Sequence, residues 1–547
     1  MFRKFNYFIL SILIITLFLS IIPKHALADD CNGEYREVRG AYGGNYSDSD
    51  VWQFVNYLKN NKNYTVSGPY VYGSCKPYTL YWAKDQDVLY WSGHGYSNGK
   101  LSYNSGKNTF YGPEKVGIIW TNYDPDSNTT NSAWNTDIEW VIFAACSQMT
   151  NPARTKWAKT MLGTAHQVHS ISGYDGTAPG DGYQRGGDNS VLVKFFANEE
   201  AGNSIRYSWK VANEYNYRNN WGVLTHYGNR YGRICGFPGN RYPNPVPGQT
   251  PNIRYCYSGN PDPGISQPLS SKISLLDNKD KKINLQTELT KSLVDEYRAV
   301  KGLKIDLDSE LLKNKFFKGI TDIKVIKKDD RVEYYKDQKS LEIDENNYIF
   351  AVAREILYED GIKVNKNKAK QIAKKYIKEI LGMPDNAKLI QTRYVVDYKV
   401  DLINSDENKE KSTEQILAYI FEFGQEIEGI PMSLKDGGNK IEVEVDSEGV
   451  TFAFKNWNEI FIDETIEKKK IITSKEAIDK FVEYIKSKDI PLDDNILNIV
   501  KIDLVYSNST TGDKLLFNPV WEIECDNHLI IQVDAFDGKI YDPYFGS

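Results

Sequence analysis

The sequence predicts an α/β fold, a mostly parallel sheet with flanking helices, followed by an α+β region of repeated helix-plus-antiparallel-strand units. Three observations lead there. Short apolar runs alternate with helical stretches between residues 30 and 257, as in a layered sheet. Charge density changes sharply near residue 260. Beyond residue 360 a helix followed by a hairpin occurs twice.

The elements of the first part follow in order. Residues 35–41 read as a strand. Residues 50–58 read as a helix with Val51, Phe54, Val55 and Leu58 on one face. Residues 65–72 look extended. Residues 87–91 and 138–145 are short apolar runs, the mark of strands buried on both faces. A helix over 152–162, a strand over 168–172, helices over 189–197 and 205–215, and a strand over 221–226 continue the alternation. From 236 to 268 Pro and Gly crowd the chain, which reads as irregular structure running into a linker at 258–270.

In the second part, a helix over 365–381 places Ala369, Ile372, Ala373, Tyr376, Ile377 and Ile380 on one face. Strands over 418–423 and 441–445 turn through Asp446–Gly449 into 450–454. The pattern then returns. Thr473 and Glu476 form a capping box, and the helix they open carries Ala477, Ile478, Phe481, Val482 and Ile485 on its apolar face. Strands over 520–524 and 529–533 turn through Asp534–Gly538 toward Ile540. This unit resembles the PepSY-like modules of propeptides and accessory parts of secreted bacterial proteases. The resemblance implies a regulatory, folding-assisting or docking role for 271–547, inhibitory in cis until the linker is cut.

Composition bounds the function. The net charge of −6 argues against a nucleic-acid partner, which calls for a strong basic excess. Hydrophobic content of 41% is too high for a disordered chain. The average hides a division. Residues 31–260 hold 21 basic and 17 acidic side chains, and residues 261–547 hold 43 and 54. Nine of the eleven Trp lie before residue 222. Two regions so different in chemistry are expected to fold separately, as 30–257 and 271–547.

Arg3 and Lys4 precede an apolar run from Phe8 to Ile22, and Ala26-Leu27-Ala28 supplies a small-x-small cleavage pattern. Residues 1–28 are read as a signal peptide. A membrane anchor is the alternative, but the run is short for a spanning helix. The expectation is a secreted protein with no membrane association after cleavage.

Two strands carry candidate chemistry. Asp87–Gly95 is an apolar run ending in Gly-His-Gly, and Ile138–Cys146 is one ending in Ala-Cys. In an open α/β sheet, sites form beyond the carboxyl ends of parallel strands. A thiol needs a neighbouring imidazole to take its proton or stabilise its thiolate. Attack on an acyl carbonyl then needs backbone N–H donors for the oxyanion. A helix starting after Pro152 would add positive potential if its N-terminus points at the thiolate.

These motifs resemble the caspase–gingipain–legumain group of cysteine peptidases, in which one apolar strand ends in His-Gly and a later one in Ala-Cys or Gly-Cys. The resemblance covers about 230 residues and implies a caspase-like sheet. It makes Cys146 the nucleophile, His94 its proton-transfer partner, and the backbone N–H groups of Gly95 and Cys146 the oxyanion hole. The substrate is then a protein or peptide, and no cofactor or metal is called for. There are departures. Arg-specific relatives carry an Asp where this chain has Ala144. The Gln-Ala-Cys-x-Gly signature of caspases is absent. Asp175 or Asp181 is the candidate acid of the substrate pocket.

The remaining motifs are weaker. His166 and His169 lack a third ligand for zinc. His226 reads as structural and His528 as exposed. With Cys146 free, the four other cysteines of the first region allow three pairings, of which Cys31–Cys75 with Cys235–Cys256 is the one expected, and Cys525 is expected to be a buried thiol. Two rival functions use the same residues differently: a non-catalytic, aromatic-rich extracellular binding module, and a cysteine transpeptidase or amidase.

Overall fold

The computed structural model describes residues 36–541 apart from 45–47, 97, 104–107, 112–133, 135–137, 164–167, 181, 183–186, 217–219, 239–251, 259–272, 278–281, 290, 291, 293, 304–306, 345–347, 355–360, 400–413, 435–438, 488–495, 509–514 and 526–528. The signal-peptide expectation falls outside these residues. Among the described residues, no helix is long and apolar enough to cross a membrane.

The fold is mixed α/β. In chain order the first part runs β1 (Arg36–Tyr42), α1 (Ser49–Lys62), β2 (Tyr64–Val71), α2 (Pro77–Tyr81), β3 (Val88–Gly93), β4 (Lys100–Tyr103), β5 (Asn108–Tyr111) and β6 (Trp140–Ala145). It continues through α3 (Asn151–Gly163), β7 (Ser170–Tyr174), α4 (Asp188–Glu200), α5 (Ile205–Tyr215), β8 (Trp221–Thr225) and β9 (Asn252–Ser258). Strands β2-β1-β3-β6-β7 lie side by side in that order, all parallel. Strands β8 and β9 extend the sheet antiparallel. The direction of strand addition reverses between β1 and β3, the switch point where such sheets open a crevice.

Alternation along the strands builds the two sides of the core. Val88 and Tyr90 of β3, with Ile142 and Ala144 of β6, face Phe54 and Leu58 of α1, Phe195 of α4 and Trp209 of α5. Leu89, Trp91, Val141 and Phe143 face the other way, against Leu80 of α2 and Trp157 of α3. The period of two follows from the pleat. In α1, Val51, Phe54, Val55 and Leu58 are all fully buried. Each such side chain contributes about 1.5–3 kcal/mol.

The two regions expected to fold separately share a sheet. Strand β9 pairs with strand Lys388–Lys399 over seven positions. One 15-stranded sheet therefore runs through the change in composition, from strand Lys324–Lys327 to β2. The stretch expected to be irregular, 236–268, holds β9 at 252–258, while 259–272 lies outside the described residues. Backbone hydrogen bonding needs no similarity of composition, only an exposed strand edge.

Buried ion pairs cross the same junction. Lys194–Glu342 is 2.8 Å, Lys210–Glu444 2.6 Å and Arg254–Asp397 2.7 Å. In each, the base comes from the first part and the acid from the second. The opposite net charges of the two parts are thus placed in contact.

Both helix-plus-strand units form. Helix Lys366–Tyr376, capped by Asn365, continues as a π turn over Ile377–Leu381. It precedes strands Lys388–Lys399, Glu414–Gly424, Lys440–Val445 and Val450–Asn456, each paired antiparallel to the next. Helix Ser474–Ser487 precedes strands Ile496–Ser507, Leu516–Cys525, Ile530–Asp534 and Ile540–Tyr541 in the same succession. The second unit belongs to a separate eight-stranded sheet.

Candidate functional site

Register brings the two motifs together. Parallel pairing of β3 and β6 sets Gly93 opposite Ala145. The next residues, His94 and Cys146, leave neighbouring strands at the same end of the sheet. Such strands lie about 4.8 Å apart. Cys146 stays partly buried and packs on the side of the sheet that holds α1, α4 and α5.

The His94 side is fixed by the β4–β5 hairpin. The backbone N–H of His94 donates to Ser102 Oγ at 3.0 Å, and Ser102 N–H donates back to the His94 carbonyl at 2.9 Å. Ser102 Oγ in turn donates to the Gly43 carbonyl at the end of β1. Gly95 must be glycine, because a Cβ there would lie 2.2 Å from the Cys146 carbonyl oxygen.

The Cys146 side is a tight turn. Ser147 adopts a left-handed backbone, φ 59°. Its N–H donates to Gly176 O at 2.6 Å, and Met149 N–H donates to Tyr174 O at 2.8 Å. These bonds bind the turn to the end of β7. The loop after β7 returns over the thiol, where Ala178 N–H donates to Cys146 Sγ at 3.3 Å. A donor on the sulfur favours the thiolate. Asn220 braces that loop, accepting from Asp175 N–H at 2.6 Å and donating to Thr177 O at 2.8 Å. Helix α3 begins five residues after the thiol, at Asn151.

The other expected site residues fare differently. Asp175 lies just beyond β7, half-buried at the base of the Ala178 loop. Asp181 lies outside the described residues. Ala144 is small and sits on the same side as Cys146. On that side Asp50 accepts from Tyr90 Oη at 2.9 Å. Burial raises the Tyr90 hydroxyl well above its ordinary value, and the charges of Asp50 and Asp188 push the same way. These two acids carried no motif in the sequence, since each opens a helix and reads as an ordinary first-turn residue.

The expected Cys31–Cys75 bond is contradicted, because Cys75 is a free, fully buried thiol. It packs beside Leu80 and Trp134. Burial pushes its pKa up to about 12. Cys235 is disulfide-bonded, with its partner outside the described side chains. Cys525 is buried and not disulfide-bonded, as expected. His169 is buried edge-on to Trp140, ring centroids 4.8 Å apart, and His226 is buried as well. His166 and His528 lie outside the described residues.

Three contributors escaped the sequence: Ser102, Gln148 and the Ala178 amide. Ser102 and Ala178 act through the backbone or at a hairpin, where composition carries no signal. Gln148 stands at the position of the final glycine in the Gln-Ala-Cys-x-Gly signature, and nothing in the sequence gives it a role. Neither a protein-family model nor a curated protein matches this sequence.

Proposed function

We propose that the chain is a cysteine peptidase in which Cys146 attacks the scissile carbonyl and His94 moves the proton. The observation that carries the reading is the Gly93–Ala145 register, which sets both residues past the ends of adjacent parallel strands. The imidazole takes the thiol proton, and the thiolate forms a tetrahedral adduct. The N–H groups of Gly95 and Cys146 are assigned to its oxyanion. His94 returns the proton to the leaving amine, and water then cleaves the thioester. The sheet is read as caspase-like and the two terminal units as PepSY-like. The attachment of the first unit through β9 and α5 supports regulation or folding assistance from the flank of the sheet. The same reading makes the protein secreted.

The test is alkylation followed by turnover. Iodoacetamide at neutral pH modifies Cys146 selectively, and His94→Ala removes the selectivity. A peptide library then yields cleavage products that disappear in Cys146→Ala. Slow, nonselective labelling with no product would overturn the proposal. Transfer products instead of hydrolysis would make the enzyme a transpeptidase.

A binding function is the second reading, favoured by exposed aromatics. Trp52, Tyr72, Tyr78, Tyr81 and Trp82 are all more than one-third exposed, within 31 residues of chain. Rings presented to solvent suit stacking on sugars. Retention on a polysaccharide resin by Cys146→Ala, lost on Trp52→Ala and Trp82→Ala, would support it.

A further inference from the structure

Gln148 is fully buried two residues beyond Cys146. Its orientation is fixed by chemistry. An indole N–H only donates, so the atom that accepts from Trp157 Nε1 at 3.1 Å is the amide oxygen. Nε2 therefore faces three backbone carbonyls: Cys146 at 3.2 Å, Lys100 at 3.2 Å and Tyr96 at 3.4 Å. Its two hydrogens are shared among them. One carbonyl belongs to the nucleophile. The other two belong to the turn that follows His94, where Tyr96 N–H also donates to Lys100 O.

The anchor at the other end is rigid. Trp157 is buried in α3, its ring 4.5 Å from Phe143 and 5.9 Å from Trp134. Gly95 lies against the amide, since a Cβ there would come 2.7 Å from Nε2. One side chain thus ties α3, the Cys146 turn and the His94 turn together.

We propose that Gln148 is a positioning residue that holds the Cys146 turn and the His94 turn at the spacing proton transfer requires. The proposal rests on reading Cys146 and His94 as a dyad. Misplacement by about 1 Å is enough to cost such a pair two orders of magnitude.

The pH profile of Cys146 alkylation in the full chain, followed at the Cys146 peptide by mass spectrometry, tests this. Gln148→Met keeps most of the volume and removes the donors. It moves the profile by about one pH unit toward the ordinary thiol value near 8.5, an about tenfold slower reaction at pH 6. Trp157→Phe keeps Gln148 but removes the donor that fixes its flip, and gives a smaller shift the same way. It also serves if Gln148→Met fails to fold, which a thermal melt reveals. A depressed wild-type profile left unmoved by both variants overturns the role of Gln148 alone. A wild-type profile already that of an ordinary thiol, unchanged by His94→Ala, overturns the dyad and this inference with it.

Discussion

Gly95 stands where a methyl group has no room. Its neighbour is the Cys146 carbonyl, a backbone atom that cannot swing aside. Gly95→Ala forces the two strand ends apart and costs about 1–3 kcal/mol as an overpacked site. The expected outcome is a lower thermal midpoint together with loss of rapid Cys146 alkylation. A stable variant with native alkylation would contradict the geometry. His94, Gly95 and Cys146 were legible because each ends an apolar run beside a small residue. Ser102 and Gln148 were not, because a buried Ser or Gln looks like any polar residue until the fold supplies its partners.

At the scale of elements, periodicity worked where burial is one-sided. Helix α5 spans the 11 residues read from its pattern. The Thr473 box forms as written, with Glu476 N–H donating to Thr473 Oγ1 and Thr473 N–H to Glu476 Oε2. Thr473→Ala removes the cap from helix Ser474–Ser487 and lowers stability by about 1 kcal/mol, measurable by urea unfolding. Strands Lys388–Lys399 and Ile496–Ser507 were missed. Bulges near Leu389 and Ile499 break their alternation, and the period of two is the only mark a half-buried strand carries. Strand β9 was missed for a different reason, the prolines on either side of it.

Across the whole molecule, a buried cluster joins the two parts. Arg393 pairs with Glu214 of α5 at 3.2 Å, with Glu442 at 2.9 Å, and with Glu422. Lys440 pairs with Glu442 at 3.2 Å. Three carboxylates share these two cations. Burial raises Glu442 to about 7, Arg393 and Lys440 pull it down, and Glu214 and Glu422 push it further up. Burial also opposes ionisation of Glu422, but Arg393 and Lys440 outweigh it and hold that residue at about 2. Because the Glu442 value is raised above its ordinary 4.5, its ionisation destabilises the fold. That penalty is absent below 4.5, grows between 4.5 and 7, and is complete above 7. Glu422 acts oppositely, its contribution present above 4.5 and lost as pH falls toward 2. The urea midpoint is therefore expected to fall from pH 4.5 to 7, and Glu442→Gln to flatten that slope. An equal slope in both proteins would refute this assignment.

The same junction sets the outcome of truncation. A chain ending at residue 270 leaves the β9 edge unpaired and Arg254 and Lys210 buried without their acids. Such edges aggregate, and breaking a buried pair costs about 3–5 kcal/mol. The truncated protein is expected to be insoluble or aggregated by light scattering. A monodisperse species with native Cys146 alkylation would show the two parts to be independent.

The sequence by itself determined the six helices read from their period, the apolar strands, the repeated unit and the two residues proposed to react. Each depends on local period or on a short motif, and local sterics and burial set those. Only the tertiary structure decided that one sheet crosses the compositional divide, that Cys75 is a core thiol, and that Gln148, Ser102 and the Ala178 amide surround Cys146 and His94. Strand pairing and hydrogen-bond partners join residues far apart in the chain. Their energies depend on who meets whom, and no single stretch of sequence records that.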